Sequence, residues 1–151
     1  MTELIEVIDD ITKYGLQPLV EIENREKDLE ENLVKIYVKH FQVQYDFDHN
    51  EYARFDTEHL PNVIKNVSKN FPTFGYYHTV LNCHELNKSM NIAAGDAVDD
   101  LSDIIFDLLE VKWRKENNSE QDALWFFEFI FQTHTQQHII NLLNFMKSKN
   151  S

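Results

Sequence analysis

The chain has 151 residues, 42% of them apolar and 13% aromatic, with three Gly, three Pro and a single Cys. That length reads as one domain, residues 1–151, able to bury about two-thirds of its unfolded surface without staples. The formal net charge of -12 argues against nucleic acid, which is bound through Lys and Arg that displace phosphate counterions, and against an anionic membrane.

Cys83 has no partner for an intramolecular disulfide, the first ten residues are acidic, and no apolar run approaches the ~20 residues of a membrane span. The expectation is a cytoplasmic protein without a signal peptide. Thr2 is the expected N-cap of a first helix, in which Leu4, Val7, Ile8, Ile11 and Tyr14 recur at helical spacing up to Gly15. Pro18 opens the next segment. From Glu26 to Val43, the apolar Leu29, Leu33, Ile36 and Val43 share a helical face. Phe41, Val43, Tyr45 and Phe47 also alternate with polar residues as a strand would, so residues 41–47 stay open between helix and strand, with helix favoured.

Residues 46–56, DFDHNEYARFD, read as a polar connection, and Leu60, Val63, Ile64 and Val67 as a short helix stopped near Pro72 and Gly75. GYYHTVLNCHEL is apolar but too short to assign, and NKSMNIAAG reads as a loop. Asp96 can cap a helix striped by Val98, Leu101, Ile104, Ile105 and Leu108. KENNSE breaks that pattern; Ser119 with Asp122 resembles a capping box, and the last helix runs from about Glu120 to Lys147, roughly 40 Å. The expected class is all-α: an antiparallel helical bundle of about five helices with a long C-terminal helix.

The last helix carries FQTHTQQHII at its waist, seven consecutive polar residues between apolar stretches. On a helical wheel His134 and His138 share a face with Phe127, Phe131, Leu142 and Phe145, while Trp125, Phe129, Ile139 and Leu143 lie opposite. A helix apolar all round is buried, and buried polar groups need partners, so the waist calls for a polar counterpart on another helix. Histidines four apart can ligate a metal. Thr135 stands where a metalloprotease has its Glu, and no Glu-x-x-His occurs anywhere. Hydrogen-bonded structural histidines are the commoner reading.

GDAVDDLSDIIFDLLE carries Asp96, Asp99, Asp100, Asp103, Asp107 and Glu110. On the wheel these acids lie opposite the Leu101–Ile105–Leu108 stripe, as on a solvated face, and those of the first turns suit the helix dipole. Clustered carboxylates also hold hard cations such as magnesium. Phe106, on the acidic side, resists the fully solvated reading. His78, Cys83, His84 and Glu85 cluster in sequence, but their spacing matches no established zinc pattern, and a free Cys is more often a small buried hydrophobe. No Ser-His-Asp order, Gly-rich phosphate loop or Walker motif is present.

DDLSDIIFDLL resembles the second half of the motif in all-α nucleotide pyrophosphohydrolases, with Asp100 and Asp103 in the magnesium-holding positions. The Glu-x-x-Glu pair that family carries on the preceding helix has no counterpart between Ala53 and Asp99. Residues 95–143 also resemble an uncharacterised bacterial family classed as a domain of unknown function. Its pattern is an acidic D-L-x-D-I-x-x-D-L helix followed by W-x-x-x-F-x-x-x-H-x-x-x-H. Asp100, Leu101, Asp103, Ile104, Asp107 and Leu108 supply the first part here, and Trp125, Phe129, His134 and His138 the second. The family usually has Trp-Gly after the first His, where this chain has Thr135-Gln136. The resemblance implies an intracellular, mostly helical protein and brings no activity.

Two functions follow. The leading expectation is a non-enzymatic interaction module, immunity-protein-like or an adaptor, that binds a basic partner through Asp96, Asp99, Asp103, Asp107 and Glu110. The alternative is a metal-dependent hydrolase with a divalent cation held by His134, His138, Asp100 and Asp103 between the last two helices.

Overall fold

Leu101, Ile104, Ile105, Leu108 and Val111 are all fully buried, and the helix that carries them is the element on which the others pack. The computed structural model describes residues 1–87, 89 and 91–151. In chain order the elements are α1 (Thr2–Leu16), α2 (Arg25–Gln42), α3 (Val63–Asn70), β1 (Tyr76–Leu81), β2 (Asn91–Asp96), α4 (Ala97–Asn117), α5 (Glu120–Ile130), a π-helical stretch (Phe131–Thr135) and α6 (Gln136–Lys149). Helices α1, α3, α5 and α6 all pack against α4. Helix makes up 62% of the chain, so the helical expectation holds in its coarse form. The purely all-α class is corrected: β1 and β2 pair as an antiparallel hairpin, with Tyr77 opposite Gly95 and Tyr76 opposite Asp96.

The hairpin falls where sequence periodicity is weakest. The expected loop over 87–95 becomes strand from Asn91, while Lys88 and Met90 lie outside the described residues. The reason is pairing. Ile92, Ala93 and Ala94 have little local preference, but they find β1 across the turn, where Asn82 adopts a positive φ of 54°, a conformation Asn tolerates better than most residues. Tyr76, Leu81 and Ile92 remain exposed.

Residues 41–47 are neither a continued helix nor a strand. Helix α2 ends at Gln42, and Val43 turns extended. Residues 43–57 then run without regular structure. They are tied down by Asp48, whose carboxylate accepts from Ser119 Oγ and Tyr52 Oη at 2.5 Å each, and by Phe47, edge-on to Trp125 at 5.6 Å. The same Ser119 caps α5 by accepting from Asp122 N. At the other end of the chain Thr2 is the first helical residue, and its expected capping role passes to the Met1 backbone.

Helix α1 approaches α4 closely because residue 15 is glycine: a Cβ there would sit 2.9 Å from Ile105 and from Val63. Its last carbonyls, which no helical turn can satisfy, are taken by side chains of α3. Asn66 Nδ2 donates to Gly15 O at 2.8 Å, and Asn70 Nδ2 to Tyr14 O and Gln17 O at 2.9 and 2.8 Å.

Candidate metal centre

The π-helical stretch sets the geometry of the waist. Gln136 N–H bonds back to Phe131 O, five residues earlier, so one extra residue is accommodated in that turn. Thr133 Oγ1 donates to Phe129 O at 2.8 Å, satisfying a carbonyl beside the wider turn. Thr135 is fully buried and donates to Asp107 Oδ2 at 2.7 Å.

Helix α4 supplies the polar counterpart that the waist demanded. His138 Nδ1 lies 2.7 Å from Asp100 Oδ1, and His134 Nδ1 lies 2.7 Å from Asp107 Oδ2. The pairing of 100 with 138 and 107 with 134 shows that α4 and the last helix run in opposite directions here. Asp100 is buried, and its other oxygen, Oδ2, accepts from Tyr77 Oη on β1. The side chain of Asp107 is also nearly buried. The solvated acidic face expected from the wheel is therefore not what forms, since two of its carboxylates turn toward the histidines.

Carboxylates only accept hydrogen bonds, so each imidazole must donate from Nδ1, and each neutral ring then presents a bare Nε2. Those two Nε2 atoms face each other at 3.2 Å. Two lone pairs do not hold such a contact unaided; a proton or a cation must lie between them. Asp103 Oδ2 stands 3.4 Å from His138 Nε2. Ligand atoms of Asp103, His134 and His138 all lie within 4.8 Å of one another. A tetrahedral ion with bonds of about 2.0–2.2 Å separates its ligands by about 3.3–3.5 Å, so two of the three edges already have nearly the required length. His134 and Asp103 are partly open to solvent.

Charge follows the geometry. The Asp100 hydrogen bond raises His138 above its ordinary value, against the opposing effect of burial. Asp107 is raised by burial, with Thr135 and His134 pulling it back. Asp99, one turn before Asp103, is raised by burial and by the neighbouring Asp96, Asp103 and Asp100. The Tyr77 phenol is pushed far above its usual range by burial and by Asp100, so it remains a donor.

The expected ligand set is thus rearranged. His134, His138 and Asp103 converge, while Asp100 stands behind His138 and contributes a hydrogen bond to its far nitrogen. Asp107, expected on a partner-binding face, does the same for His134. Of the other acids expected there, Asp96 caps α4 by accepting from Val98 N, and Glu110 pairs with Arg114 at 2.9 Å. Sequence reasoning missed Tyr77 and the backing role of Asp107. A signal for Asp107 was present: positions 100, 103 and 107 share one face of α4 and can meet a histidine pair spaced four apart.

Other clusters lack this convergence. Cys83 is exposed in the hairpin turn, and His84 lies 3.4 Å from Glu85. His40 Nδ1 and Glu128 Oε2 come within 3.0 Å, yet neither atom makes a well-aligned hydrogen bond; the ring of His40 stacks on Phe131 at 4.2 Å. A cleft of about 450 Å³ between residues 47–55 and the α4–α5 junction is lined by Phe47, Arg54, Phe55, Arg114 and Trp125, and shares no residue with the histidine network.

The chain matches no protein-family model, no curated protein and no solved structure. Among the described residues, no helix is long and apolar enough to cross a membrane.

Proposed function

We propose that the protein is a divalent-metal-dependent hydrolase whose ion is held by His134, His138 and Asp103. The observation that supports it most is the facing pair of Nε2 atoms at 3.2 Å, each ring anchored from behind by a carboxylate. Carboxylate-backed histidine is the arrangement that fixes a metal ligand's tautomer and raises its basicity. Two imidazoles and one carboxylate suit zinc or another first-row transition metal better than magnesium. That choice parts from the magnesium chemistry implied by the half-motif of the pyrophosphohydrolases. Three protein ligands leave a position for water, whose acidity such an ion raises toward neutrality.

The interaction reading, an acidic module for a basic partner, keeps the support of the -12 net charge. It loses weight because Asp96, Asp107 and Glu110 are engaged within the chain. The likeness to the uncharacterised bacterial family rests on its motif alone.

The test is metal content of the purified protein, followed by hydrolysis of phosphomonoester, phosphodiester and carboxylic-ester substrates with and without chelator. Stoichiometric transition metal and chelator-sensitive turnover are expected. A protein that neither retains nor takes up metal overturns the proposal. Tight metal with no turnover on any class removes the enzyme and leaves a metal-binding module.

A further inference from the structure

We propose that Tyr77 is a positioning residue for the His134–His138–Asp103 centre, acting through Asp100, and that Gly95 is the position that lets it do so. The inference rests on the metal reading above and deepens it, because it ties the hairpin to the affinity of the centre.

Asp100 is held at two points. Oδ1 takes His138 Nδ1 at 2.7 Å and Oδ2 takes the Tyr77 hydroxyl, so the carboxylate is gripped between α6 and β1. A carboxylate bound only by the histidine could rotate about its own side-chain bonds, and the imidazole plane would follow it. With Tyr77 in place, the direction of the His138 Nε2 lone pair is fixed by the hairpin as well as by the helices. Asp100 is 5% exposed, so water is poorly placed to substitute for the phenol. The Tyr77 ring is half-buried and packs against Phe145, with centroids 5.7 Å apart.

To reach Asp100 from β1, the Tyr77 side chain must cross β2. It does so over its cross-strand partner, Gly95. A Cβ at position 95 would lie 2.2 Å from Tyr77 Cζ and 2.5 Å from its Oη, so any other residue evicts the ring. No glycine in the chain has a positive φ, so position 95 needs glycine for space and not for backbone freedom. The isolated pair of strands, marginal on its own, thereby gains a tether to the centre of the molecule.

The experiment is titration of Co²⁺ into the apo full-length protein, read by visible absorption, with circular dichroism as the check on folding. Variants are Asp100→Asn, Tyr77→Phe, Gly95→Ala, and Gly95→Ala in a Tyr77→Leu background. Loss of a backing carboxylate weakens metal binding by about 10–100-fold. Asp100→Asn is expected in that range, and Tyr77→Phe, one bond further out, at roughly 3–10-fold with a changed Co²⁺ spectrum. Gly95→Ala should weaken binding at least as much as Tyr77→Phe, yet add nothing once residue 77 is leucine, the signature of coupling through the ring. Wild-type affinity and spectrum in Tyr77→Phe overturn the inference. That variant keeps the ring and decides the matter even if Gly95→Ala fails to fold. A wild-type protein that binds no Co²⁺ is a different result: it sinks the metal reading and takes this inference with it.

Discussion

Helix α4 carries two half-buried ionic clusters, one at each end, and they are built differently. Toward its C-terminus, Arg114 donates to Glu110 Oε1 from Nε and Nη2 at 3.1 and 2.9 Å, and from Nη1 to both oxygens of Asp122 at 3.2 and 3.1 Å. Asn118 adds a further bond to Asp122 at 2.8 Å. The cation is permanent and its planar fork is used on both sides. Toward the N-terminus, Asp100, Asp103 and Asp107 face two histidines, with the hydroxyls of Tyr77 and Thr135 donating to Asp100 and Asp107. With neutral imidazoles that cluster holds three negative charges, against one for the arginine cluster. A divalent ion would reduce the three to one. The arginine cluster carries its own cation, whereas the histidine cluster has two rings whose charge depends on pH.

The comparison can be broken by experiment. The largest expected effect is on binding. His138→Ala removes a ligand and should lower metal affinity by more than the ~100-fold upper range for outer partners, measured by calorimetric titration. Next comes Arg114→Met, which leaves Glu110 and Asp122 without their cation. Urea unfolding should show a loss of about 1–3 kcal/mol, below the value for fully buried pairs because this one is partly solvated. Asp103→Asn should act with the opposite sign on the apo protein. Removing one member of the Asp99–Asp103 pair should gain on the order of 0.2–0.5 kcal/mol while abolishing metal retention. A destabilised apo Asp103→Asn would make the histidine cluster structural, like its neighbour.

The smallest effect is one of pH. His138 is held above the usual imidazole range by its hydrogen bond to Asp100, so its contribution to stability is full below the unfolded value and is lost as pH rises through the folded one. Tm of the apo protein should therefore fall across neutral pH. Asp100→Asn should flatten that slope, and saturating metal should remove it. A slope unchanged by Asp100→Asn would show that His138 is not its source.

Much of this was legible in the chain. The stripes of α1 and α4, the caps at Asp96 and Ser119, and the demand of the polar waist for a partner all follow from local pattern. What was not legible depends on distant partners. The strand at Asn91–Asp96 exists because Tyr76–Leu81 lies across from it. The acids of α4 looked solvated on a wheel because a wheel ranks one helix against a single apolar stripe. Helix α4 instead packs on both sides, and Phe106, half-buried on the acidic side, was the residue that hinted at this. Asp107 shares its face with Asp100 and Asp103, and which acid meets which histidine follows only from the register of the last helix against α4.

The π turn at Phe131–Thr135 has a genetic consequence. Ile139, Leu142 and Met146, the buried residues of α6, lie beyond the extra residue, as His138 does. Deleting one codon in that stretch would close the wide turn into an ordinary α-turn and leave those three side chains and His138 in phase, because the bulge is what absorbs the extra residue. The deletion would therefore spare the core and change only how the residues of the turn, His134 among them, are presented to α4. One lost residue at the waist is thus a route to unseating the histidine pair that leaves the fold standing.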